Sequence, residues 1–180
     1  MEPQRKKAQT RTTWIITPGY TTVQFSVRRL FFFTIEGQFT DLAGTMALDE
    51  ADLRRSSVEA TIKAASITTG NKRRDAHLRS ADFLDTENYP DIRFQSASVE
   101  RGQDRDTLRI AGPLTIKGTS QTVALDVTMF DRSRSPQGEE VIYYTALTKI
   151  DRFDFGINYG RGLIGSIVKI MIQLQALRQN

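Results

Sequence analysis

Val168-Lys169-Ile170-Met171-Ile172-Gln173-Leu174-Gln175-Ala176 decides the fold class. Val168, Ile170, Ile172, Leu174 and Ala176 recur at every second position, with Lys169, Gln173 and Gln175 between them. A side-chain period of two is that of a β-strand with one dry face and one wet face. On a helix the same residues would be scattered around the whole circumference.

The pattern repeats upstream. Val23, Phe25 and Val27 alternate with polar residues, as do Val58, Ala60, Ile62 and Ala64. Leu108, Ile110, Gly112, Leu114 and Ile116 form another set, and Val123, Leu125, Val127 and Met129 another. Turn chemistry separates them: Pro18-Gly19, Asp49–Arg55, Lys117-Gly118-Thr119-Ser120 and Ser133–Gly138. Strands are predicted near 21–30, 35–48, 56–67, 91–99, 106–117, 121–131, 141–152 and 166–177, with a short lead-in at 14–17. One segment breaks the alternation. Asn71–Leu84 has helical spacing, with Asn71 placed as an N-cap and Ser80 available to cap a second turn. One or two short helices are expected there. A further turn is expected near Tyr159–Ile164, where glycines cluster.

Eight antiparallel strands in sequence order, joined by short links, indicate an all-β fold: an up-and-down barrel or a sandwich. A twelve-residue strand at ~3.3 Å per residue and a tilt of ~40° gives a barrel ~30 Å tall, high enough to enclose a ligand along its axis. Alternation alone leaves open whether such a barrel is packed or hollow. Small residues on the dry faces (Ala60, Ala64, Gly112, Ala176) favour a cavity. Phe31-Phe32-Phe33 cannot all face inward on a strand, so part of the run lies in a bend, at a barrel mouth or on an interface.

The chain has 180 residues, enough for one domain and a short tail. Met1–Thr13 carries Arg5, Lys6, Lys7 and Arg11 without an apolar stretch and is expected to be a disordered basic tail, leaving 14–180 as the domain. It does not resemble a secretory signal, so a cytoplasmic location is expected. The absence of cysteine excludes disulfides, thiolate metal sites and Cys nucleophiles. The single histidine, His77, excludes a multi-His metal centre, and neither a metal nor a cofactor is expected. There is no G-x-S-x-G, G-x-G-x-x-G or Walker A pattern. The glycines of 156–162 lie between strands and not before a long helix. No run of apolar residues is long enough for a transmembrane helix. The net charge of +4 is spread among acids, with no basic stripe for nucleic acid.

On a helix, Arg74 and His77 share a face. Two roles fit: a cationic site for a head group at a barrel mouth, or an anchoring network in which Asp75 pairs an arginine and His77 bonds backbone. The pairs Asp82/Asp85 and Asp151/Asp154 fit turn caps or arginine partners better than acid–base work.

The chain resembles the YceI family of lipocalin-like, polyisoprenoid-binding proteins over roughly Trp14–Leu177. The most specific stretch is Ser66-Ile67-Thr68-Thr69-Gly70-Asn71, then Arg74-Asp75-Ala76-His77-Leu78 through Asp82-Phe83-Leu84-Asp85, then Tyr89-Pro90-Asp91-Ile92-Arg93-Phe94-Gln95-Ser96. Phe25-Ser26-Val27-Arg28, Glu36-Gly37-Gln38-Phe39, Gly112–Thr119 and Asp151-Arg152-Phe153-Asp154-Phe155-Gly156 support it. The resemblance implies an extended eight-stranded antiparallel lipocalin-like barrel with an apolar tunnel that binds long isoprenoid or fatty lipids. Several members of the family act in stress responses; many are periplasmic and others cytoplasmic. The chain departs from the family where Tyr20 and Arg29 stand in the places of two usual histidines. Arg29 favours an anionic head, phosphate or carboxylate.

A non-enzymatic lipid binder is therefore expected, serving in transport or storage. The tunnel lining is assigned to Phe25, Val27, Phe39, Ile62, Phe94, Ile110, Leu125, Val127, Ile170 and Ile172, and the mouth to Tyr20, Arg29, Arg74 and His77. Two alternatives remain open. One is a lipid- or quinone-modifying enzyme using His77. The other is a solid barrel that docks a protein or membrane through Phe31–Phe33 and the basic tail. The exposed aromatics are also compatible with a homodimer.

Overall fold

The computed structural model describes residues 11–179. Residues 1–10, most of the expected tail, lie outside them. Strand β1 (Arg11–Ile16) begins inside that expected tail, because Arg11–Thr13 pair with Asp49–Ala47.

Among the described residues, eleven further strand segments and one α-helix follow in order: β2 (Thr22–Arg29), β3 (Phe33–Phe39), β4 (Leu42–Asp49), β5 (Ser57–Lys63), β6 (Ile67–Thr68), α1 (Lys72–Arg79), β7 (Asp91–Gln95), β8 (Ser98–Arg101), β9 (Thr107–Ile116), β10 (Thr119–Arg134), β11 (Glu140–Asp151) and β12 (Ile164–Arg178). Every pairing is antiparallel. Segments β1/β2, β3/β4, β5/β6 and β7/β8 each run along one broken stave, so the twelve segments make eight staves in sequence order. The barrel closes where β12 pairs β1 through Ile16↔Ala176 and β2 through Ile170↔Phe25. The fold is thus a closed eight-stranded antiparallel barrel with one helix, the barrel branch of the sequence reading.

Two glycines show how tightly the staves are fitted. A Cβ at Gly112 would fall 2.0 Å from the Gln95 carbonyl oxygen. The bulge between β7 and β8 (residues 95–97) presses into that space. Gly112 therefore makes room for backbone and not for cargo, and Ala64 and Ala176 are fully buried outside the cavity. Of the small residues expected to open a cavity, only Ala60 lines one. A Cβ at Gly37 would lie 2.4 Å from the Phe25 ring, which crosses that position to reach Phe39 at 5.8 Å.

Helix α1 starts as expected. The Asn71 side chain accepts a hydrogen bond from the Arg74 amide. It ends at Ser80, and residues 81–84 are turns, so the segment holds one helix. Asp75 does not pair an arginine directly. It is buried under the helix and accepts from the Thr69 amide (2.9 Å), the Thr69 hydroxyl and the Thr68 hydroxyl, tying α1 to β6. Burial opposes its ionisation, but these hydrogen bonds outweigh it and hold the carboxyl below the ordinary aspartate range.

Candidate functional site: a hollow barrel with a basic mouth

The barrel is hollow. Its interior is a cavity of about 1000 Å³ lined by all eight staves, at the top of the range for small-molecule sites. The solid-barrel alternative falls here. Phe25, Val27, Phe39, Ile62, Phe94, Ile110, Leu125, Val127, Ile170 and Ile172 all line it, because each is an inward position of its strand. Most are only half-buried although they point inward, since they face open space instead of each other. Along β12 the lining runs from Ile164 to Leu174. At ~3.3 Å per residue and ~40° tilt this is ~25 Å of depth.

One end is closed. One inward pair beyond the lining residues Tyr144 and Leu174, Ile142 (1% exposed) and Ala176 (0%) lie opposite each other. Trp14 (0%) packs with them, its indole N–H donating to the Thr12 hydroxyl at 2.8 Å. Above this floor sits Tyr144, a lining residue whose hydroxyl has no hydrogen-bond partner among the described residues. Burial pushes its phenol pKa up.

The other end is a mouth built from α1, the end of β2 and the loop between β11 and β12. Arg29, Arg73, Arg74 and His77 line the cavity there. Tyr20 does not. It sits 69% exposed in the turn between β1 and β2, away from the lining. The side chains of Arg29 and Arg73 have no hydrogen bond or ion pair to any described residue. Arg74 is partly committed, donating to the Thr69 hydroxyl (2.7 Å) and carbonyl (3.0 Å). His77 bonds the Asp82 carboxylate at 2.8 Å, not backbone, and packs edge-on against Phe83 and Tyr159. This aromatic trio joins the helix to the β11–β12 loop. The other aspartates serve turns: Asp85 holds Asn88 and Asp151 caps the 3-10 turn Arg152–Phe155.

Sequence reasoning missed the residue that builds the loop. Arg152 is buried, lines the cavity, and donates to the carbonyls of Ile157, Tyr159, Ile164 and Gly165 at 2.8–2.9 Å. Burial pulls its pKa down. Its signal was visible as an arginine flanked by two aspartates, which suggested a local ion pair and not a hub of carbonyls. Arg73, Tyr144, Tyr159 and Leu163 also line the cavity unforeseen. Among the described residues, every charged side chain in the lining is basic and no carboxylate lines the cavity.

The YceI-like domain model matches residues 14–176. The protein YceI of Escherichia coli O157:H7 is 34% identical over 157 residues, covering 87% of this chain and 81% of that protein. A UPF0312 protein of Pseudomonas putida is 32% identical over the same shares. Among solved structures, the YceI protein of Campylobacter jejuni superposes with a TM-score of 0.71 at 28% identity, covering 85% of this chain and 90% of that one. BcnA of Burkholderia cenocepacia reaches 0.79 at 22% identity, covering 89% and 98%. A polyisoprenoid binding domain from Saccharophagus degradans reaches 0.70 at 13%, covering 93% and 99%. The last two speak to the fold alone.

Proposed function

The chain belongs to the YceI-like family, and from that premise we propose that its barrel binds one long isoprenoid or fatty chain, tail toward Trp14 and an anionic head among Arg29, Arg73 and Arg74. The observation that carries the reading is the combination of an apolar cavity with a lining whose charges, among the described residues, are all basic. The Saccharophagus domain, which shares this fold, is named for polyisoprenoid binding, the same class of tail as the one proposed here.

Magnitudes favour a long chain. Each methylene taken from water gains about 0.8 kcal/mol, so sixteen gain about 13 kcal/mol. Association consumes at least about 4 kcal/mol of that, which leaves room for micromolar binding or tighter before the head is counted. An anionic head placed between two arginine side chains that have no partner among the described residues adds charge-assisted hydrogen bonds without breaking any of those on the described residues. Carrying or storing such a lipid needs no chemical step. The serines of the lining, Ser56 and Ser57, belong to the β5 end of the barrel, and His77 is already held by Asp82.

The test uses delipidated protein with palmitate and hexadecanol, and with geranylgeranyl phosphate and geranylgeraniol. Both tails should bind, the anionic partner of each pair about tenfold tighter or more, since a charge-assisted hydrogen bond contributes about 1.5–3 kcal/mol. Leu125→Trp, which fills the cavity, should abolish uptake while the far-UV circular dichroism stays unchanged. Failure of all four ligands to bind, with no lipid detected by native mass spectrometry of the untreated protein, overturns the reading.

A further inference from the structure

The β2–β3 turn exposes more apolar surface than a loop requires. Phe31 (81%), Phe32 (85%) and Phe33 (63%) stand in solvent, next to Leu30 and Leu163 (58%). The arrangement is enforced. Leu30 and Phe31 both adopt left-handed backbone, φ 50° and 62°, a conformation that bulky residues rarely hold. The turn is pinned in it by Leu30 N–H to the Leu163 carbonyl (2.8 Å), Phe32 N–H to the Leu30 carbonyl (2.8 Å) and the Arg28 guanidinium to the Phe31 carbonyl (3.3 Å). These contacts fix the turn against the cavity opening, whose lining includes Arg29, Arg73, Tyr159 and Leu163. Arg161, in the same loop as Leu163, stacks on Phe153 at 4.1 Å and donates to Asn158. Asp82, just past α1, is held by His77.

We propose that this tip, Leu30–Phe33 with Leu163, inserts into the surface of an anionic lipid bilayer and sets the mouth of the cavity on the membrane. An apolar wedge ringed by arginines matches the layered chemistry of such a surface: acyl chains beneath, anionic head groups around. A protein partner fits less well. A stable interface buries about 800 Å² per side over 20–30 residues, and this tip offers a handful of side chains. A second copy docked face to face would also oppose Arg28, Arg29, Arg73 and Arg161 to their own equivalents. The inference takes its purpose from the lipid-binding reading, yet its evidence is separate: none of Phe31, Phe32 and Phe33 lines the cavity.

Phe31→Asn combined with Phe32→Ser tests it. Asparagine tolerates the left-handed backbone at 31, so the turn is kept. In flotation with phosphatidylcholine–phosphatidylglycerol vesicles the native chain should bind, more weakly at raised salt and on pure phosphatidylcholine. The double variant should bind about tenfold less or worse, while its uptake of palmitate from solution equals that of the native chain. Equal vesicle binding by variant and native chain overturns the proposal, because the attraction then comes from other basic residues. A native chain that ignores vesicles but sediments as a dimer, with the variant monomeric, overturns it in favour of a self-contact. Vesicle binding that depends on the tip, in a chain that takes up no palmitate, sustains the tip and defeats the cargo reading alone.

Discussion

The two ends of the barrel are built by opposite means. The floor is dry: Trp14, Ile142 and Ala176 are sealed by packing, and their alternation simply continues that of the walls. The mouth is held by polar bonds. Arg152 gathers four carbonyls, Asp75 gathers two threonines, and His77 closes on Asp82. Packing seals that side of the barrel. Hydrogen-bonded loops frame an opening and leave the side chains of Arg29 and Arg73 without partners among the described residues. Stability and cargo recognition are therefore expected to separate along the axis.

The largest effect should fall on the mouth's one structural hub. Arg152→Met leaves the carbonyls of Ile157, Tyr159, Ile164 and Gly165 without their donor. Each such loss costs about 1–3 kcal/mol where water cannot replace it. A loss of about 4 kcal/mol or more is expected in urea unfolding. A loss below about 1 kcal/mol would mean that the loop stands without its arginine, and the contrast between the ends would fail.

The next test compares isoleucines of equal size. Ile142→Ala at the floor should cost about 3 kcal/mol, the usual result of truncating a sealed core position. Ile172→Ala at the wall, where the side chain already faces open space, should cost about 1 kcal/mol and instead weaken palmitate binding. Equal costs would mean the wall is packed as tightly as the floor.

This contrast also marks what the sequence could reveal. Alternation placed Ile172 and most of the other inward residues it named on the inner face, so the staves were legible, while closure into a barrel with a tunnel came from the family resemblance. It could not distinguish a sealed inward position from one facing a void, because both are apolar. Gly112 shows the limit: read as free space, it is filled by the bulge of a neighbouring stave. At the mouth the limit was long-range bonding. Arg152's carbonyl partners lie 5–13 residues away, with no signature in residue type. Tyr20 was placed at the mouth only by its correspondence with a histidine of the family, and the turn between β1 and β2 carries it elsewhere.

Asp75→Asn should cost about 2 kcal/mol at neutral pH, since hydrogen bonds to a charged acceptor contribute about 1.5–3 kcal/mol. The sign with pH follows from its depressed pKa. The stabilisation is complete above the unfolded value near 4 and fades as pH falls through the lower folded value. The urea midpoints of native chain and variant should run parallel above pH ~5 and converge in acid. A gap that persists unchanged at pH ~2 would show that shape, not charge, anchors the helix.

The smallest effect bears most directly on which end is which. Tyr144→Phe removes a hydroxyl that no described residue engages, so stability should move by less than about 0.5 kcal/mol. If the tail points to the floor, palmitate affinity should not fall, because the hydroxyl then faces only methylenes. It would rise slightly, since a polar group no longer meets an apolar chain. A drop of about tenfold, the worth of one hydrogen bond at ~1.4 kcal/mol, would place a polar group of the ligand beside Tyr144. The lipid would then lie head-inward, and the arginines of the opening would serve the membrane instead of the cargo.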